Sequence, residues 1–434
     1  MMRYLVRAGW VSAVVLSLSQ VGFAGEVLTF EQAWRMALEN RQGLQAARLA
    51  VNRQDALVRQ SRVRPNPSFA FQTENWRFTQ RHDFSASNDV DWFAYWTQPL
   101  EARGKREARS TLASLEREAT ELEARKFEWD LWLEVRRAFL DAAFVSRELE
   151  EALREERLQQ TVRDYYARRF ELGAVGELDY RQAELELQVR QLEISRLRRQ
   201  VGVTLASLGR VMGFERFPEG YDSVRLEAMT ALASGGVAVD ELIRTAWRER
   251  LDLQLESVQG RIQEARTRVE RLKGHPDWDV ILGYKRTEGF NTLLAGIIVP
   301  LPLWDRNLGA VEASLVEENR WTRLHEDARR QAASEVRSAL LRFRDRYVGR
   351  RELGEKLVPA AEENWSIVQE AFAEGMLDFL RVLDARRTVA SLRRMLIQAE
   401  MELEMARLEI AAAVGTADPA VGEATLADLG KGDF

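Results

Sequence analysis

Residues 28–41, LTFEQAWRMALENR, return in outline at 237–250, VAVDELIRTAWRER, 209 positions later. At the same offset Pro67 falls on Pro276. Further along, ARRFELGAVGEL (167–178) matches QEAFAEGMLDFL (369–380) at an offset of 202, and Met212-Gly213 matches Val414-Gly415. A repeat of this length restricts the fold more than any local propensity does, because the chain must build one architecture twice. Each copy reads as a helix, two short aromatic strands, a very long helix, a glycine turn and a further helix.

The periodicity supports that order. Leu131, Val135, Ala138, Ala142, Val145 and Leu149 step by four and three, as do Leu392, Leu396, Ala399, Leu403, Ala406, Ile410 and Ala413. Such spacing is the heptad seam of packed, nearly antiparallel or coiled helices. The helices are interrupted at Arg64-Pro65-Asn66-Pro67. Strands are predicted over 68–78 and 90–97 in the first copy, with a polar loop at 79–89. The second copy predicts strands at 278–286 and 291–299 around a tight Glu288-Gly289 turn. Trp76, Trp92, Trp96 and Trp278 fall in these strands, as in membrane strands about ten residues long with aromatic girdles.

The predicted fold is mainly α with a small β part: a long antiparallel α-helical barrel and four membrane strands per chain, built on a tandem duplication. Residues 1–24 read as a signal peptide, from Arg3 and Arg7, an apolar stretch and small residues before a cleavage between Ala24 and Gly25. The first repeat is 25–236, with a hairpin at 68–97, a long helix at 101–170 and a helix at 178–212. The second is 237–414, with a hairpin at 278–299, a long helix at 306–372 and a helix at 377–414. A tail of 415–434 follows; this tail and 213–236 are expected to form a belt around the helices or to hang free. At about 1.5 Å per residue each long helix spans roughly 100 Å, so two half-length helices stack beside it. Four strands cannot close a barrel, and open edges are not tolerated in lipid. The chain is therefore expected to assemble as a symmetric oligomer.

Composition removes several classes. Loss of residues 1–24 takes the net charge from −5 to −7, which argues against nucleic acid. With no cysteine there are no disulfides and no thiolate metal sites. His82, His275 and His325 are far apart, and Met401 and Met405 at i, i+4 read as packing residues. Gly104-Lys105 is no P-loop, because the glycine required five positions earlier is Pro99. No catalytic constellation, cofactor motif or resident metal site is read.

The motifs LTFEQAWRMALENR (28–41), RPNPSFAFQTEN (64–75), QPLEARGKREAR (98–109) and LLAGIIVPLPLWDRNLGAVEA (293–313) resemble the TolC-like outer-membrane efflux family, within it the CzcC-type heavy-metal branch. The likeness covers almost the whole mature sequence. It implies a homotrimer with a twelve-stranded barrel in the outer-membrane lipid of a Gram-negative cell. It also implies a helical tube in the periplasm, docked to a periplasmic adaptor (membrane-fusion) protein and an inner-membrane, proton-driven RND-type pump. By position it places the adaptor-docking tips at Gly173, Val175 and Gly176 and at Gly375 and Leu377. It places the narrowest point of the channel at Asp384, Arg381 and Asp179. Family members carry an acidic residue where Arg381 stands, and polar partners for Asp179 where Phe372 and Leu377 stand. An Asp179–Arg381 or Asp384–Arg381 ion pair is the expected substitute. The implied function is a passive conduit for heavy-metal cations of the Co/Zn/Cd type. Export of drugs, solvents or secreted polypeptide by the same tube, and a periplasmic coiled-coil scaffold without a pore, are the alternatives.

Overall fold

The computed structural model describes residues 26–77, 84–219, 221–224, 236–374, 376–377, 379–422, 425–426 and 429. The expected cleavage pair Ala24 and Gly25, and the tip residue Gly375, lie outside the described residues. The elements run twice in one order. First come β1 (Glu26–Leu28), α1 (Phe30–Asn40), α2 (Gln42–Ser61), β2 (Ser68–Glu74), β3 (Asp91–Leu100), α3 (Lys105–Glu171) and α4 (Glu177–Val211). After β4 (Tyr221–Val224) come α5 (Val239–Glu249), α6 (Leu251–Lys273), β5 (Trp278–Thr287), β6 (Phe290–Ile298), α7 (Leu308–Glu352), α8 (Val358–Ala373) and α9 (Phe379–Val414).

The helices form four adjacent columns. α2 and α4 pack on one side of α3, α6 and α9 on its other side, and α7 with α8 beyond them. α3 has 67 residues, about 100 Å at 1.5 Å per residue. Its seam residues Leu131, Val135, Ala138 and Ala142 are buried against Ala33, Ala37, Leu208 and Met212. Its opposite flank, with Leu140 and Phe144, packs on Ile397 and Leu408 of α9. Leu396 and Ala399, placed in the second seam by sequence, are outside these clusters, while Leu403, Ala406, Ile410 and Ala413 lie within one.

Three expectations on helix continuity are corrected. The helix read across the first copy's opening breaks at Arg41, and its counterpart breaks at Arg250; both residues are extended, at ψ 103° and 121°. The first long helix begins at Lys105 and not at 101, because Gly104 turns at φ +90°. The second long helix carries a π-turn over Leu353–Leu357, closed by Val358 N–H donating to the Leu353 carbonyl. Pro359 follows at once and has no N–H for an ordinary i−4 bond, so the widened turn accommodates it.

Capping explains where the first helix begins. The Thr29 hydroxyl accepts from Gln32 N–H at 3.3 Å while the Gln32 amide accepts from Thr29 N–H at 2.9 Å. β1 and β4 pair in parallel. Val224, Phe214, Phe217 and Tyr221 lie over the α1–α3 core, and Val421, Leu426 and Leu429 over the α5–α7–α9 core. The described parts of the two segments without helical periodicity therefore cover the mid-length junctions, where the half-length helices meet.

Candidate conduit and its two ends

The four long strands form one antiparallel sheet in the order β2-β3-β5-β6. Strand β2 ends at Glu74, short of the predicted 78, because Asn75 turns at φ +54°. Register divides the sheet into two unlike faces. Phe69, Trp96, Leu282 and Ala295 stand in one row, and Phe71, Ala94, Tyr284 and Leu293 in a row on the same face. Phe69 and Leu293 are 71% and 90% exposed, so among the described residues this apolar face is left uncovered. The other face carries Ser68, Gln72, Asp91, Thr97, Asp279 and Lys285, with Phe93, Tyr95, Ile281 and Leu294 among them, and is the more polar of the two. An apolar outside and a polar inside with two-residue alternation is the pattern of a membrane barrel wall. Strands β2 and β6 each present an unpaired edge. Among the described residues no helix is long and apolar enough to cross a membrane.

The far end of the columns is built by two reversals. After α3, Gly173 takes φ +69° and Ala174 N–H reaches back to the Arg169 carbonyl at 2.8 Å. A Cβ at Gly173 would meet nothing within 4 Å, so the turn points into open space. Gly176 precedes α4 in extended geometry, and Glu177 and Asp179 occupy the first turn, where the helix dipole favours negative charge. Leu172 and Leu178 are 81% and 77% exposed. Val175 is half-buried and packs, like Leu383 of α9, against the cluster of Val162, Tyr166 and Ala183. At the second reversal Met376 N–H donates to the Ala371 carbonyl at 2.9 Å; Leu377 is half-buried and Met376 exposed.

Asp179, Arg381 and Asp384 are all exposed. Among the described residues neither aspartate makes an ion pair with Arg381 within the chain, which corrects the expected substitute pairing. The reason is physical: solvated pairs gain little, and Asp179 already sits at a helix N-terminus. The two helical hairpins are joined instead by other contacts. Phe372 stacks edge-on against Tyr165 at 6.4 Å, an apolar tie in place of a polar one. Higher up, Glu186 of α4 pairs with Arg387 of α9, and Glu193 pairs with Arg394 at 3.6 Å. Glu155 of α3 lies 2.8 Å from Arg190. Burial raises the Glu155 carboxyl above its usual range against the pull of Arg190 and Arg394, and burial lowers Arg386 nearby. Sequence reasoning missed this ladder, although both sides repeat at seven residues: Glu186 and Glu193, Arg387 and Arg394.

No group of three or more His, Asp or Glu side chains among the described residues is arranged to hold a metal. His325 faces Glu256 at 4.0 Å, and Met401 and Met405 pack against the α3–α9 core.

A sheet with a lipid face, a polar face and two open edges, mounted on helical columns about 100 Å long, defines a subunit of a trans-envelope channel. The chain belongs to the outer membrane efflux protein family, whose profile matches residues 33–214 and 283–416. It is a channel component of the outer membrane that extends into the periplasm, of the kind that works with an adaptor and an inner-membrane pump. It is 24% identical over 377 residues to the cobalt-zinc-cadmium resistance protein CzcC of Cupriavidus metallidurans, covering 84% of this chain and 85% of that one. The nickel-cobalt-cadmium resistance protein NccC of Alcaligenes xylosoxydans xylosoxydans is 28% identical over 50% of this chain and 49% of its own. The outer membrane protein VceC of Vibrio cholerae superposes with a TM-score of 0.71 over 89% of this chain and 96% of its own, at 16% identity; that likeness shows the fold.

Proposed function

We propose that three copies of this chain close a twelve-stranded barrel and a helical tube, and that the tube passively conducts divalent heavy-metal cations out of the cell. The observation that carries this reading is the open-edged, two-faced sheet continuous with the helical columns. Each edge needs a partner strand, and a further copy supplies one without leaving polar backbone in lipid. The outer columns support closure too. Leu49, Leu185 and Leu192 are exposed on α2 and α4 at one flank, and Val316, Val348 and Ile367 on α7 and α8 at the other. The likeness to relatives named for resistance to cobalt, zinc, cadmium and nickel supports the cargo. The chain itself does no chemistry, and the energy comes from the proton-driven pump.

The constriction is assigned to Asp384, Arg381 and Asp179, and adaptor docking to Gly173, Val175, Gly176, Gly375 and Leu377. Exposed carboxylates at a narrow mouth concentrate cations. The deciding experiment deletes the gene and measures growth on cobalt, zinc, cadmium, nickel, copper and silver salts. Sensitivity to divalent salts, rescued by the wild-type gene, is expected. Sensitivity only to drugs or solvents overturns the cargo, and a soluble extended dimer in fractionation overturns the channel. Gly173→Asp and Gly375→Asp are expected to form trimers that fail to rescue, whereas normal rescue removes the docking assignment. In planar bilayers Asp384→Ala is expected to shift the reversal potential under a salt gradient, and an unchanged potential removes Asp384 from the constriction.

A further inference from the structure

The connectors between sheet and helices reverse the chemistry of the rest of the chain. Leu100 faces Trp278, and Asp279 faces Ile298, on the last rungs of the sheet at its helical end. The four connectors together with the adjoining strand ends and first helix turns, 61–67, 98–109, 268–278 and 300–308, therefore form a collar directly below the lipid face. Together they hold ten arginines and lysines against five carboxylates, a net +5 in a chain whose total is −5.

Three of those carboxylates are already used within the collar. Glu101 pairs with Arg109, Asp277 pairs with Lys105 at 2.9 Å, and Glu270 pairs with Lys273 at 2.6 Å. Arg64, Arg103, Arg106 and Arg271 are exposed and, among the described residues, make no ion pair.

The same collar holds an apolar loop. Leu301, Leu303, Trp304 and Leu308 are 71%, 60%, 93% and 71% exposed. This loop is held in shape: Pro300 and Pro302 fix φ, Leu303 N–H donates to the Leu301 carbonyl at 2.9 Å, and Arg306 Nε donates to the Pro302 carbonyl at 3.3 Å. A rigid loop that presents tryptophan and leucine beside arginine, at the edge of an apolar barrel face, matches the water–hydrocarbon boundary of a bilayer.

We propose that this collar is a binding site for the anionic headgroups of glycerophospholipids in the periplasmic leaflet, with Trp304 and its neighbouring leucines seated at the acyl boundary and the free arginines on phosphate. The proposal rests on the barrel reading, which sets the height of the collar. Guanidinium groups hold a phosphodiester through paired N–H bonds, and an anionic headgroup balances the surplus charge that the chain leaves unmatched.

The test reconstitutes the full chain in vesicles of phosphatidylethanolamine with phosphatidylglycerol, extracts the oligomer in mild detergent, and counts retained phospholipids by native mass spectrometry. Wild type is expected to retain phosphatidylglycerol in preference to phosphatidylethanolamine. Combined Arg103→Gln, Arg106→Gln and Arg271→Gln is expected to reduce that retention roughly tenfold, with oligomer mass and conductance unchanged. Retention without a headgroup preference, or unchanged by the three substitutions, overturns the site. A variant that shifts ion selectivity and keeps its lipid places the arginines in the lumen, which also overturns it. Trp304→Ser is expected to weaken retention and leave the oligomer intact; loss of the oligomer assigns the loop to a neighbouring copy instead. Failure of the wild-type chain to insert into vesicles at all defeats the barrel reading and is distinct from every outcome above.

Discussion

The two mid-length junctions hold the same device at the same place in each copy, with opposite chemistry around it. In both, an arginine breaks a half-length helix and reaches the last carbonyls of the helix that closes its copy. Arg41 donates to the Arg210 carbonyl at 3.4 Å, and Arg250 to the Ala413 carbonyl at 3.3 Å. In both, a glycine at positive φ lies against that break: Gly213 at +94° and Gly415 at +85°. Their surroundings then part. Arg250 is clamped by Asp252 at 2.7 Å and Glu335 at 2.5 Å. The position of Asp252 is held in the first copy by Gly43, and the Phe127 ring fills the space above it. One junction is fastened by charge and the other by aromatic packing. The shared backbone demand has been kept, while the side chains that satisfy it have diverged.

The largest expected effect breaks what the junctions share. A Cβ at Gly213 would stand 2.9 Å from the Asn40 backbone, and one at Gly415 3.0 Å from the Arg250 Cα. Both positions also hold a φ that alanine disfavours by about 1–2 kcal/mol. Gly213→Ala and Gly415→Ala are each expected to cost about 3 kcal/mol once the contact with backbone is added, read as a lower melting temperature of the detergent-solubilised oligomer. Equal stability of either variant with wild type shows that the close approach is not what holds that junction.

The next effect separates the copies. Arg250→Ala is expected to cost about 2 kcal/mol, because two carboxylates and a carbonyl lose a charged donor; the half-exposed partners keep it below the cost of a fully buried pair. Arg41→Ala, with no carboxylate partner among the described residues to release, is expected to cost about 1 kcal/mol or less. Gly43→Ala tests the aromatic side, since its Cβ would fall 2.6 Å from the Phe127 ring. A cost of about 1–3 kcal/mol follows if the ring cannot turn aside. Equal losses at Arg41 and Arg250 erase the contrast.

What sequence could and could not disclose follows the same division. Proline breaks, turn residues and aromatic runs exposed the strands and period-seven spacing exposed the α3 seam, because both are written in consecutive residues. The breaks at Arg41 and Arg250 were not legible. Asn40 and Gly43 weaken a helix at NRQG but do not by themselves place a stop, and ERLD carries no glycine or proline; at each break the chain lies against Gly213 or Gly415, more than 160 residues away. At the tip, Gly173 was legible as a turn because only its backbone matters there. The expected pairing of Arg381 was not borne out within the chain, since position along a helix does not say whether solvent or a neighbour wins the charge. The ladder of Glu186 and Glu193 against Arg387 and Arg394 carried a signal, a shared spacing of seven, but that spacing gains meaning only once α4 and α9 are known to approach each other.

The smallest expected effect concerns pH and again divides the junctions. Burial is the largest single influence on the Asp252 carboxyl and works to raise it, but the Arg250 hydrogen bond, the Arg250 charge and the Leu253 N–H together outweigh it and hold the group below its usual value. A carboxyl depressed in the fold contributes stability at neutral pH that is lost as pH falls through its folded pKa, so acid weakens the second junction. Glu256, close by on α6, has the opposite sign. Burial and then the nearby Asp252 raise it, so its charge opposes folding at neutral pH and the opposition fades as acid protonates it. Glu256→Gln is therefore expected to raise stability at pH 7 by roughly 0.5–1 kcal/mol and to gain nothing below about pH 4. The two carboxylates partly cancel, so wild type should show a shallower acid loss than the Glu256→Gln variant. Melting curves of both proteins from pH 7 to pH 3 test this, and parallel curves would mean that Glu256 is solvated, leaving Arg250 and its two carboxylates as the sole electrostatic difference between the junctions.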